Sequence, residues 1–193
     1  MKRDELQFNE DAHTYQYKGK QLSGITGAVS RRLGKDFSKA GDFVEPFMEF
    51  GKLIHKEVQD YINEGILPSR RESKYVIQYL QRVFPKGEYF LMGEVLVSNY
   101  ETHASAIDIF VYTKDNKAIL IDIKTGNFDR EYCSWQLGIY KMLTEIEGEF
   151  EVLSCIVLAT KDSIAYSVTP KSKERCEALL KGETNGQGKR SKR

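Results

Sequence analysis

Ala118-Ile119-Leu120-Ile121-Asp122-Ile123-Lys124-Thr125-Gly126 is a short apolar run carrying one acid and one base near its end. Side chains alternate along a strand, so Asp122 and Lys124 share one face while Ile121 and Ile123 share the other. A carboxylate and an ammonium set among aliphatics are costly to bury unless each has a partner or a task. Upstream, Ala106-Ile107-Asp108-Ile109-Phe110-Val111-Tyr112 is a second apolar strand interrupted by one aspartate. Two adjacent strands that each give an inward position to a carboxylate make a site for a hard divalent cation. A lysine beside that pair suits a reaction in which an anionic oxygen or an attacking water is held.

The flanking sequence supplies the rest of a fold. Strands over about 88–98, 104–113 and 117–124, joined by turns at Asn99-Tyr100-Glu101 and Lys114-Asp115-Asn116, read as an antiparallel meander. Before them, Phe8 to Leu22 alternates around Lys18-Gly19-Lys20 as a β-hairpin, and Ser23-Gly24-Ile25-Thr26 offers caps for a short helix ending at Gly34. Glu45-Pro46 opens a helix to about Ile62, and Glu72 to Phe84 forms another whose inner stripe holds Tyr75, Val76, Tyr79, Leu80 and Val83. After the meander come a helix over about 130–145, strands over 151–160 and 163–168, and a helix from Pro170. This order predicts an α/β fold: a mixed central β-sheet flanked by helices, with an N-terminal β-hairpin.

Composition narrows the class. The chain has 193 residues, of which 40% are hydrophobic and 30% charged, enough for one globular domain with its own core. We read residues 1–181 as that domain, with a hairpin and helices to 86 and a core over 87–181. Residues 182–193 lack apolar periodicity and read as a disordered basic tail. Residues 181–193 hold Lys181, Lys189, Arg190, Lys192 and Arg193 against Glu183, so a total charge of +1 leaves −3 on the rest. No apolar stretch reaches the roughly 20 residues that span a bilayer, and Met1-Lys2-Arg3-Asp4-Glu5 leads into no signal-peptide core. Cys133, Cys155 and Cys176 are too scattered for a disulfide framework or a zinc site and read as reduced, buried thiols of a cytoplasmic protein.

Three further stretches extend the acid–acid–lysine set. Gly51-Lys52-Leu53-Ile54-His55 lies on the long helix, and Gly93-Glu94-Val95 lies in the first meander strand. Gln136-Leu137-Gly138-Ile139-Tyr140 presents an amide and a phenol on one helix face. With these, the chain resembles the RecB-like branch of the PD-(D/E)XK nuclease superfamily, including its phage-type exonucleases. The family order G-x-x-x-H, Glu, G-x-x-Asp, Asp-x-Lys-Thr and Gln-x-x-x-Tyr falls on Gly51 and His55, Glu94, Asp108, Asp122 to Thr125, and Gln136 and Tyr140. The lead-in Phe8 to Tyr15 and Leu22 to Thr26 also looks phage-type, so the resemblance covers about residues 8–168. Ser105 stands where the pattern has glycine.

The resemblance implies a restriction-endonuclease-like core and Mg²⁺- or Mn²⁺-dependent hydrolysis of DNA. Asp108, Asp122 and the Ile123 carbonyl would ligate metal, as would His55, whose nitrogen suits Mn²⁺ beside Mg²⁺. Glu94 would serve a second metal, a water or Lys124. Lys124 would act as base or as electrostatic clamp, and Thr125 would support the following turn and the strand contact. Gln136 and Tyr140, extended by Tyr132, would hold a phosphate or base edge, with Arg31 and Arg32 as further phosphate contacts. DNA is the implied partner, with a recombination or replication protein beside it. His13 and His103 read as surface or hairpin residues, and three cysteines cannot supply a four-cysteine iron–sulfur cluster. Exonuclease is the leading reading; an endonuclease of the same superfamily and a non-catalytic nucleic-acid-binding module stay open.

Overall fold

The computed structural model describes residues 5–9, 12, 14–35, 45–146 and 148–182, and the backbone of 183–190. In chain order the elements are β1 (Leu6–Asn9), β2 (Thr14–Tyr17), β3 (Lys20–Gly24), α1 (Ile25–Arg32), α2 (Glu45–Glu64) and α3 (Arg71–Val83). Then follow β4 (Phe90–Ser98), β5 (His103–Tyr112), β6 (Lys117–Lys124), α4 (Arg130–Ile146), β7 (Glu151–Ala159), β8 (Ile164–Ser167) and α5 (Lys173–Arg190).

The strands form one mixed eight-stranded sheet in the order β1-β2-β3-β5-β6-β7-β8, with β4 paired to β5. Helices cover both faces, as the α/β reading required. β4, β5 and β6 are the antiparallel meander, whereas β6 and β7 run parallel across the α4 connection. On β6, Ala118 and Leu120 point into the cluster built with α1, α4 and α5, including Val29, Leu137, Ile139 and Cys176. Ile121 and Ile123 point into the second cluster, with Ile54 and Val58 of α2 and Val76 and Leu80 of α3. Period-two alternation therefore puts Asp122 and Lys124 on the α4 side, after Leu120.

Several expectations are refined. The N-terminal hairpin is present and gains a third strand, and Ser23 and Gly24 at the end of β3 pair with His103 and Ala104 of β5. Gly24 sits at the helix N-cap with no side-chain cap bond. His103 is a hairpin residue, the first of β5 after the turn from β4, and is buried, with Nδ1 2.9 Å from Thr102 Oγ1; His13 lies outside the described residues. The backbone beyond residue 182 continues as helix to Arg190, and 191–193 lie outside the described residues. A helix already held by buried Cys176 and Leu180 propagates at one backbone hydrogen bond per residue, without an apolar face of its own. The three cysteines are buried and unpaired, and burial pushes their thiols up to about 11 for Cys133 and Cys176 and about 12 for Cys155.

Arg70, which precedes α3, makes no capping bond, and Glu57 of α2 supplies the missing acceptor. Its Oε1 accepts from Ser69 Oγ and Arg70 Nη1, both at 2.5 Å, and its Oε2 accepts from the Arg70 amide at 3.2 Å. Against the pull of desolvation, the Ser69 hydroxyl and the Ser69 and Arg70 amides hold this carboxyl down at about 2. Its folded pKa lies below the unfolded value, so its stabilisation is full above about pH 4.5 and is lost as pH falls toward 2. Glu57→Gln is expected to cost about 1–2 kcal/mol at neutral pH, with a smaller difference near pH 3, read from urea melts.

Candidate active site

The site follows from how β5 is paired. β4 lines one edge of β5 from Ala104 to Tyr112. On the other edge β6 pairs only with Ile109–Tyr112 and β3 only with His103 and Ala104. Among the described residues, Ser105 to Asp108 therefore have no strand partner on that edge, and a notch opens where β6 leaves β5. Side chains take over there. Asp108 Oδ2 accepts a 2.7 Å hydrogen bond from the Ile123 amide, replacing a ladder carbonyl. The Tyr15 phenol, from β2, meets the Ser105 hydroxyl and the Ala106 backbone.

The predicted acids and base converge at this notch. Lys124 Nζ lies 2.7 Å from Asp122 Oδ2. The two groups form an ion pair, and Asp122 raises the lysine against its desolvation. His55, from α2, places Nδ1 3.3 Å from Asp108 Oδ1. α2 comes this close because residue 51 is glycine: a Cβ there would stand 3.2 Å from Thr125 Oγ1. Thr125 thus packs under α2, consistent with support of the turn.

Gln136 and Tyr140, expected to hold a phosphate or base edge, stand on α4 beside the lysine. Both are buried, 7% and 3% exposed, and they form a relay behind the lysine. Lys124 Nζ donates to Gln136 Oε1 at 2.9 Å, and Gln136 Nε2 donates to the Tyr140 oxygen at 2.9 Å. Tyr140 also bonds the Ser105 hydroxyl, which links the relay to Tyr15. The serine in the glycine position is therefore the joint between two phenols. Tyr15 and Ser105 carry no sequence signal for this role, since Tyr15 looks like any inward residue of an alternating hairpin. Tyr132 stands one turn before Gln136, its ring 5.8 Å from Lys124 Nζ and its hydroxyl bonded to Ser30 and Thr26 of α1.

Electrostatics separate the two carboxylates. Desolvation, reinforced by Asp108, pushes the Asp122 carboxyl up to about 6 although Lys124 opposes the shift. Desolvation acts on Asp108 too, but His55 and Lys124 outweigh it and hold that carboxyl below its usual value. Burial disfavours charge on Lys124, yet Asp122 and Asp108 raise its pKa. His55 is likewise raised by Asp108 against its own desolvation. Asp108 and Asp122 thus share one ammonium, with His55 set against Asp108 on the α2 side.

The remaining candidates lie less close. Glu94 faces Asp108 in register, between the pairs Gly93–Ile109 and Val95–Ile107. Its φ of 55° is the left-handed region that a non-glycine residue enters at a cost. Arg31 and Arg32 form the last turn of α1; Arg32 stands 5.6 Å from the Trp135 indole centroid, and both line a cleft beside that ring. Among the described residues no three His, Cys, Asp or Glu side chains form a metal-holding cluster, and no helix is long and apolar enough to cross a membrane.

No protein-family model and no curated protein matches the chain. Among solved structures, the crystal structure of SSO0001 is similar to it at 15% sequence identity, over 86% of this chain and 76% of that one, with a TM-score of 0.46.

Proposed function

We propose that the chain hydrolyses DNA phosphodiester bonds in a Mg²⁺- or Mn²⁺-dependent reaction and acts as an exonuclease. The observation that carries this reading is the convergence of Asp108, Asp122 and Lys124 at one notch in the sheet edge, with Lys124 2.7 Å from Asp122. The motif resemblance to RecB-like nucleases supports DNA as the substrate, and three buried thiols suit the reducing cytoplasm.

The donor set fits a hard divalent ion. Asp108 and Asp122 offer carboxylate oxygens, the Ile123 carbonyl adds a backbone oxygen, and His55 adds an imidazole. Mg²⁺ keeps several waters and needs only one or two protein carboxylates, so a closed cage is not required. When bound, the ion supplies Lewis acidity toward the water nucleophile and the phosphate. Lys124 is the chain's own contribution to charge stabilisation. Its ammonium is kept protonated by two acids, which favours the electrostatic clamp over the base. Gln136 and Tyr140 hold that ammonium in place from behind and so are positioning residues. Glu94 would hold a water or a second ion from β4.

The reading is tested with end-labelled linear DNA and closed circular DNA, each with Mg²⁺, Mn²⁺ or EDTA. Mononucleotide release from linear DNA alone, abolished by EDTA, is the expected result. Nicked circles would replace it with an endonuclease, and inert DNA and RNA would leave a binding module. Gln136→Leu is expected to lower kcat about 10–100-fold with little change in KM, because Lys124 loses its rear acceptor. Gln136→Glu, which keeps an acceptor, should restore part of that rate.

A further inference from the structure

A second cluster lies on the other flank of α4. Arg32 of α1, Lys171 of the segment before α5, and Arg175 of α5 converge on the Trp135 indole. Their charged groups stand 5.6, 5.7 and 5.4 Å from the ring centroid. Arg32, Trp135 and the Lys171–Arg175 stretch are far apart in sequence, so the packing of α1, α4 and α5 assembles them. Glu131 meets part of the charge: its Oε2 accepts from Lys171 Nζ at 2.8 Å and its Oε1 accepts from Trp135 Nε1 at 3.1 Å. Alongside runs a cleft of about 450 Å³ between α1 and α5, lined by Arg31, Arg32 and Arg175 and, among the described residues, by no acid. Like charges gathered around a low-dielectric indole focus a positive potential on whatever enters.

We propose that this cleft binds the phosphate backbone of a nucleic-acid strand away from the scissile bond. The inference deepens the reading of the notch as a nuclease centre and rests on it. The chemistry fits: guanidinium groups held over an aromatic ring offer paired donors matched to phosphate oxygens, and the cleft walls add Ala178 and Leu179 for the sugar face. The location fits as well. Trp135 precedes Gln136, so one helix carries both the cleft floor and the residue that holds Lys124.

The test is metal-free binding, which hydrolysis does not affect. Fluorescence anisotropy with a labelled single-stranded oligonucleotide in EDTA, from about 50 to about 300 mM salt, gives log Kd against log salt. The double variant Arg32→Gln with Arg175→Gln should lower that slope by about 1.4, two phosphate contacts at about 0.7 each, and weaken binding roughly 10-fold near 100 mM salt. Arg32→Lys with Arg175→Lys, which keeps the charge, should retain most of the slope. An unchanged slope in the glutamine variant, or no oligonucleotide binding by the wild type, overturns the proposal. So does polyglutamate of equal length binding the wild type as tightly as DNA, which would assign the cleft to an acidic protein partner. If the slope falls as expected while Mg²⁺ yields no hydrolysis, the nuclease reading fails and the cleft stands. Hydrolysis with an unaltered slope gives the reverse.

Discussion

Lys124→Ala is expected to lower the rate of DNA hydrolysis by at least about a thousand-fold, read as mononucleotide release from end-labelled linear DNA at saturating Mg²⁺. The substitution removes the one ammonium that lies within 2.7 Å of Asp122 and 2.9 Å of the Gln136 amide oxygen. It also leaves the Asp122 carboxylate, 1% exposed, without its ion-pair partner. A stabilising charge preorganised where the phosphate gains charge is worth several kcal/mol, because no solvent reorganisation is needed at the moment of reaction. Lys124→Arg keeps the charge but not the compact head group, so it should recover little. Asp122→Asn should fail equally, since it keeps the shape and removes the charge a divalent ion needs. If Lys124→Ala retains more than about a tenth of the wild-type rate, the clamp role is wrong.

The second large effect is on the fold. Gly138 lies in α4 between Gln136 and Tyr140, where a Cβ would stand 2.8 Å from both the Lys171 nitrogen and the Lys171 oxygen and 3.0 Å from Cys176 Sγ. These atoms cannot step aside. The Lys171 amide donates to the Ser134 carbonyl at 2.9 Å, and Ser134 Oγ donates to the Thr169 carbonyl at 2.6 Å, so the segment before α5 is tied twice to α4 one turn before the contact. Gly138→Val should therefore cost about 2–4 kcal/mol and lower Tm by roughly 5–15 °C in a scanning calorimeter. Gly138→Ala should cost less, because alanine regains about 1 kcal/mol of helix propensity over glycine. A valine variant as stable as the wild type would mean that α4 and α5 are not packed in this way.

Local patterns were legible in the sequence, and pairings between distant segments were not. Alternation along 118–124 correctly put Asp122 and Lys124 on one face, and turn residues correctly bounded β4, β5 and β6. The notch itself was out of reach. It exists because β3 joins β5 at His103 and Ala104 while β6 leaves at Ile109, a non-local register that no window of sequence contains. For the same reason Tyr15 and Ser105 gave no sign of their task. The cluster of Arg32, Trp135, Lys171 and Arg175 spans three separate segments, so only Arg31-Arg32 stood out as a charge pair. Ser23 to Thr26 looked like caps, and Gly24 takes the N-cap while Ser23 pairs with β5.

A titration of Mn²⁺ into the metal-free protein by calorimetry, repeated with Asp108→Asn and Asp122→Asn, goes to the centre of the account. Two carboxylates meeting at one sheet notch should bind the ion in the wild type, and each asparagine variant should weaken it at least about 10-fold and abolish hydrolysis in parallel. Mn²⁺ bound equally by all three proteins, or by none of them, would contradict it.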